Sequence, residues 1–210
     1  ERIVTQLRLP RTLEAIAVGA ALGVAGALLQ GALANPLASP DVIGVTGGAG
    51  FGAMLILLAF PEKIALLPAG ALLFGLLAAT VVFVIAWSGP NGGSIGRLIL
   101  AGIAVGALFT AAMTSLMTAY PDRVPSAIFW LAGGLTSDGW GEIEAIWPYF
   151  AAGFVIALLL VRPLDRLQLG DEVAASLGMR PQLVRLCAGI AAALLAASAA
   201  ALAGLLGFLG

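Results

Sequence analysis

Histidine is absent from this 210-residue chain, and cysteine, lysine and charge of either sign are scarce. Without imidazole there is no histidine-based metal site and no proton shuttle tuned to neutral pH. The single cysteine, Cys187, sits in an apolar segment and has no partner for an intrachain disulfide. The only lysine is Lys63, and no Gly-x-x-x-x-Gly-Lys-Ser/Thr run surrounds it, so the chain lacks a phosphate-cradling P-loop. Charged residues are 10% of the total, against about 25% in an average soluble domain. A net charge of −1 with no basic run argues against nucleic acid as a partner.

What the chain has instead is apolar length. Hydrophobic residues make up 61%, and the few charges are segregated: none falls between Glu14 and Asp41, Asp41 and Glu62, Lys63 and Arg97, Arg97 and Asp122, Glu144 and Arg162, or after Arg185. A helix of roughly 20 apolar residues crosses the ~30 Å hydrocarbon layer, so each gap is long enough to hold a span. The pattern predicts an all-α, polytopic transmembrane bundle in contact with membrane lipid. Six spans are expected, over 12–33, 42–60, 64–87, 97–119, 146–161 and 183–206, with Pro68 tolerated in the first turn of the third. The connection from Tyr120 to Ala145 is rich in Pro and Gly, and its apolar part, 126–135, is too short to cross. It reads as a half-helix or interfacial helix. Tyr120, Trp130, Trp140, Trp147 and Tyr149 cluster there, as expected near a headgroup layer. Lys and Arg divide five against five between the two ends of such a bundle, so charge does not orient it.

Four local patterns stand out. Glycines recur every fourth residue at Gly19/Gly23, Gly44/Gly48/Gly52 and Gly102/Gly106, which suits close helix packing in lipid. Between the first two spans, Asn35-Pro36 forms a turn in which Asn35 can cap freed backbone groups and Pro36 stops the helix. Arg8 and Arg11 flank Pro10 and share a face if the first helix begins there. The most polar loop, 164–185, contains Leu169, Gly170, Asp171, Glu172, Val173, Ala174, Ala175, Ser176, Leu177 and Gly178. These read as a short helix with acids in its first turn and Gly178 just past its end, Ala174, Ala175 and Leu177 offering a face that can press into a groove. A flexible turn is expected over 87–96.

Together, Arg-Leu-Pro-Arg, the small-residue helix, Gln30-x-x-x-x-Asn35-Pro36-Leu37-Ala38-x-Pro40 and Gly44-Val45-x-x-Gly48-Ala49 resemble the permease subunit of FecCD/BtuC-type ABC importers, which carry ferric siderophores, haem or cobalamin. The resemblance implies a bundle of about ten helices per subunit, paired as a homodimer or a paralogous heterodimer, in the bacterial cell membrane. It also implies a cytoplasmic ATP-binding subunit that binds the nucleotide, an extracytoplasmic substrate-binding protein, and no catalysis, metal or cofactor in this chain. By the same likeness, Arg8 and Arg11 receive carboxylates of the binding protein. The Leu169–Gly178 segment docks on the ATPase as a coupling helix, and Ser94, Ile95 and Gly96 lie at a cytoplasmic gate. The Asn35-Pro36 turn and the 162–185 loop then face the cytoplasm. One helix before the chain and three after it are expected to be missing, because the family's pattern beyond Gly204 is cut off at Gly210. The rival reading is an ion-coupled secondary transporter. Those place carboxylates within their spans, and Glu14 is taken here as a span-end charge.

Overall fold

The computed structural model describes residues 4–88, 94–135 and 140–205. The first helix, α1 (Leu9–Leu33), continues a π-helical turn over Val4–Arg8, with Pro10 near its start. A 3-10 turn over Pro40–Ile43 leads to α2 (Val45–Met54), which runs on as a π-helical turn over Leu55–Ala59. After a 3-10 turn over Pro61–Leu66 comes α3 (Leu67–Trp87), then α4 (Ile95–Ala119) and the short α5 (Val124–Leu131). The chain ends in α6 (Trp140–Leu167), α7 (Asp171–Ser176) and α8 (Pro181–Ala203). Among the described residues, five helical runs are long and apolar enough to cross a membrane: Val4–Leu33, Pro61–Trp87, Ile95–Ala119, Ile143–Leu167 and Pro181–Ala203.

The second expected span departs from this. Its helical part, Val45–Ala59, falls in the 10–17-residue class, and at 1.5 Å per residue it covers only about 22 Å. The missing length is taken up by irregular chain that dips into the bundle. The Val42 carbonyl lies against Gly102, seven residues into α4, and a methyl added at Gly44 would meet Val82 and Val105 at 3.6 Å. That puts the start of α2 roughly 8–10 Å inside the ends of α3 and α4. Irregular backbone survives at such depth only where protein shields it and its polar groups are satisfied. Both conditions hold. Ala38, Pro40 and Ile43 are buried. Asn35 Oδ1 accepts from the Leu37 amide at 3.0 Å. The amides of Ala38, Val42 and Gly44 donate to the carbonyls of Asn35, Ser39 and Asp41 at 3.1, 3.0 and 2.9 Å. The Asn35 side chain thus closes an Asx turn onto the amide two residues on. The helix before it stops at Leu33 with Ala34 in the left-handed region (φ 48°), the one non-glycine there among the described residues.

Helix α8 is the axis of the bundle, packing on α1, α2, α3 and α6. Between Ala188 and Ala203 ten of the sixteen residues are Ala, and Ala188, Ala191, Ala192, Ala197 and Ser198 have no exposed surface. In lipid, helices gain little hydrophobic drive by associating, so contact must come from close van der Waals packing of small residues. The surrounding helices key into α8. The Phe83 ring occupies the space beside Gly189, and Leu195 fills the space beside Gly153 on α6. Gly48 and Gly52 likewise bring α2 against the α3 backbone at Phe74 and Gly70. Gly19 and Gly23 do not follow the expected packing role, since their faces meet nothing within 4 Å.

The remaining boundaries move for identifiable reasons. Helix α6 runs well beyond the expected 146–161, because charged residues such as Arg162 and Asp165 extend a helix past the hydrocarbon without breaking it. The half-helix in the long connection is α5, whose following Gly134 amide donates to the Ala203 carbonyl at 2.8 Å. Residues 89–93 of the expected flexible turn and 206–210 of the expected cut-off motif lie outside the described residues. Glu14 is not a span-end charge: the helix begins at Val4, and the side chain is fully buried.

Two stability predictions follow from this geometry. A methyl at position 102 would collide with backbone, at the Val42 carbonyl, so Gly102→Ala should lower stability by about 1–3 kcal/mol. Gly141→Ala, with nothing within 4 Å, should not; thermal unfolding in detergent compares the two. At the α1 terminus, Ala34→Gly should raise stability by about 1 kcal/mol, relieving left-handed strain, and Asn35→Ala should lower it by a similar amount. Asn35→Ala should leave substrate preference unchanged in uptake competition.

Candidate docking and coupling sites

The bundle carries its two sequence-marked sites at opposite ends of the 30-residue run over 4–33. At the first, Arg8 and Arg11 are three residues apart on one continuous helix, so they are surface neighbours, and both are exposed. Thr12 Oγ1 donates to the Arg8 carbonyl at 2.9 Å, and Trp140 Nε1 donates to the Thr5 carbonyl at 3.2 Å. The latter contact ties the start of α6 to the lead-in of α1. Arg123 is held just past the C-terminal end of α4, donating to the Leu58 carbonyl at 2.5 Å, its guanidinium 5.4 Å from the Tyr120 ring. Arg8 and Arg11 thus project from a braced, aromatic-rich end.

At the other end lies α7. Gly170 precedes it with φ 101°, a conformation that suits glycine, and Asp171 and Glu172 occupy the first turn, where the helix dipole favours acids. Its C-terminus is a Schellman turn: the Gly178 amide donates to the Ala175 carbonyl at 2.9 Å, Met179 to Ala174 at 3.1 Å, and Gly178 takes φ 77°. The helix and its glycine stop are therefore as the sequence indicates. Its faces are not. Ala174 is fully buried against the bundle and cannot form part of an outward docking face. The 3.6-residue period turns Ala174 inward and leaves Ala175 outward. Leu169, Val173 and Leu177 are 62%, 46% and 57% exposed, and with Ala175, Gly170, Glu172 and Gly178 they make up the free surface. A groove of about 730 Å³ runs beside it, lined by Trp87, Glu172, Ala175, Met179, Leu183 and Leu186.

One residue that sequence reasoning did not single out holds this end together. Arg185, in the second turn of α8, donates from Nη1 and Nη2 to Asp171 Oδ2 and Oδ1 at 2.8 and 2.7 Å. Its Nε donates to the Ala32 carbonyl in the last turn of α1 at 2.9 Å. Hydrogen bonds from Arg185, and then its charge, hold the Asp171 carboxyl below its ordinary range, while partial burial works the other way. A depressed carboxyl pKa stabilises the fold above the ordinary carboxylate range, and that contribution is lost as the pH falls from there through the lowered folded value. The only sequence signal for this tie was that Arg185 is the last charge before a long apolar run.

Ser94 is the N-cap of α4, with extended backbone (φ −106°, ψ 145°) and its Oγ accepting from the Arg97 amide at 3.3 Å. Ile95 is half-buried and Gly96 exposed. A cavity of about 210 Å³ opens beside the irregular segment, lined by Gln30, Pro36, Ser39, Asp41, Thr46 and Ala200. Its polar lining went unread because Asp41 looked like a boundary charge, whereas it sits, exposed, in the 3-10 turn that lines the cavity.

Comparison with known proteins fits this architecture. The profile of the FecCD transport family matches residues 1–210. The Fe(3+)-citrate import system permease protein YfmE of Bacillus subtilis (strain 168) is 40% identical over 211 residues, covering 100% of this chain and 63% of the relative. The ferric enterobactin transport system permease protein FepG of Escherichia coli (strain K12) is 36% identical, covering 99% and 62%. The chain thus spans a little under two thirds of the length of these relatives. A metal-chelate type ABC transporter solved in an inward-facing conformation superposes with a TM-score of 0.87 at 30% identity, over 98% of this chain and 67% of that one. The end-to-end profile match, on a bundle with five membrane-length helices, makes this chain a multi-pass membrane protein belonging to the FecCD transport family.

Proposed function

We propose that this chain forms part of the permease of an ATP-driven importer of ferric chelates, working with a separate cytoplasmic ATPase and an extracytoplasmic binding protein, as one of a pair of permease subunits. The observation that carries the reading is α7: a short helix, stopped by a Schellman turn and anchored by Arg185, presenting Ala175, Val173 and Leu177 at the end opposite Arg8 and Arg11. A six-residue helix has too few internal hydrogen bonds to persist alone, so its anchorage is what makes it a defined surface for another protein. In this reading Leu169, Gly170, Asp171, Glu172, Ala175, Leu177 and Gly178 meet the ATPase, with Ala174 acting as the packed base beneath them. ATP binding draws the paired α7 helices together and switches access between the two sides. The relatives' ferric citrate and ferric enterobactin support a ferric chelate as cargo. Ser94, Ile95 and Gly96, at the start of α4, are assigned to the gate by their position.

Buried Glu14 is the one feature that speaks for ion coupling, so the energy source needs a direct test. Uptake by the intact transporter should stop with vanadate and survive an uncoupler. Ala175→Trp adds volume to the exposed face without entering this bundle. It should weaken ATPase association about tenfold, in line with ~1–3 kcal/mol for overpacking, measured by co-purification and by transport-linked hydrolysis. Parental association and transport in that variant would contradict the coupling role. At the opposite end, reversing Arg8 and Arg11 to Glu should reduce binding-protein affinity roughly tenfold at low salt and less at high salt, leaving thermal stability intact. Equal affinity in the double variant at both ionic strengths would remove these residues from the docking site.

A further inference from the structure

Three elements that are far apart in sequence meet at one guanidinium. Arg185 belongs to α8, the axis of the bundle. Its two terminal nitrogens hold both oxygens of Asp171 on α7, and its remaining N–H holds the Ala32 carbonyl at the end of α1. The Arg185 side chain is 13% exposed and that of Asp171 55%. Exposed ion pairs contribute little as a rule, but a bidentate fork whose arginine is mostly buried has fixed geometry. Arg185 uses three of the guanidinium's five N–H donors, two on the Asp171 carboxylate and one on the Ala32 carbonyl, so α7 cannot shift along its axis without pulling on Arg185 or breaking the fork.

Arg185 also sits at a break in the chain. Ala32 is two residues before left-handed Ala34, beyond which the backbone leaves helix and dips into the bundle as far as Gly102 on α4. Beyond this fork, α7 buries the methyl of Ala174 and packs on its neighbours α6 and α8. Dispersion contact at a methyl resists compression but not sliding or tension. A directional, charge-assisted fork resists both.

We propose that Arg185 is the positioning residue that transmits displacement of α7 to α1 and the irregular 34–44 segment, so that hydrolysis is linked to opening of the pathway. This rests on the reading of α7 as the coupling helix. Arg185 touches neither ATPase nor cargo in this arrangement. Its loss uncouples movement without abolishing docking.

The test uses the complete transporter, with its ATPase and binding protein, reconstituted in liposomes, and measures ferric citrate uptake and ATP hydrolysis in the same sample. Arg185→Met should leave ATPase association within about twofold of parental, while chelate delivered per ATP falls about fivefold or more, the usual lower range of site-to-site coupling. Arg185→Lys keeps the charge but loses the fork, and should fall between the two. A merely structural role would lower thermal stability, association and uptake together and leave delivery per ATP unchanged, and that result would overturn the proposal. So would parental delivery per ATP in both variants. Ala175→Trp, run alongside, separates this failure from failure of the coupling-helix reading: if it leaves ATPase association intact, α7 does not meet the ATPase, whatever Arg185 does.

Discussion

Everything in this bundle depends on how near other helices can come to α8. A helix surrounded on several sides in lipid gains no hydrophobic reward for being there, and it is held only by the number of atoms in contact. A side chain of ordinary size would keep its neighbours at the 8–10 Å separation common between helices, with fewer contacts per turn. The alanines between 188 and 203 remove that spacer, and bulk crosses each contact in one direction at a time: Phe83 of α3 fills the space beside Gly189, and Leu195 of α8 fills the space beside Gly153 of α6. The same logic explains why α2 lies so close to α3 and why Gly102 receives a carbonyl rather than a side chain. Volume is distributed in complementary fashion across each contact, and glycine marks where backbone meets backbone.

Much of this was legible in the sequence, and the parts that were not share a cause. Charge spacing located the long helices because burying an ion in hydrocarbon is costly over a span's length. It misjudged their ends, since charged residues bound hydrocarbon rather than helix: Arg162 and Asp165 continue α6, and Glu14 lies inside a run that starts at Val4. The Asn35-Pro36 turn was readable because its chemistry is local. What followed was not, because the depth of 36–44 is set by a contact between Val42 and Gly102, sixty residues away, that no periodicity encodes.

The docking surfaces show the same division. Acids at the start of α7 and glycine at its end predicted the helix correctly, as local rules should. Which alanine faced out was a matter of phase relative to the bundle, and a six-residue helix has too few apolar positions to define a phase. Arg185 escaped notice for a related reason: its partners, Asp171 and Ala32, are 14 and 153 residues away, and only folding brings them together.

The shortness of the helical part of α2 carries a consequence for how the protein is made. A segment of 15 residues falls short of the length a nascent chain needs to settle across a bilayer unaided. Its irregular lead-in also exposes amides and carbonyls that lipid cannot satisfy. The glycine that accommodates the Val42 carbonyl lies on α4, so this segment reaches its packed place only with α3 and α4 beside it, and a chain ending before Gly102 lacks the surface it packs on.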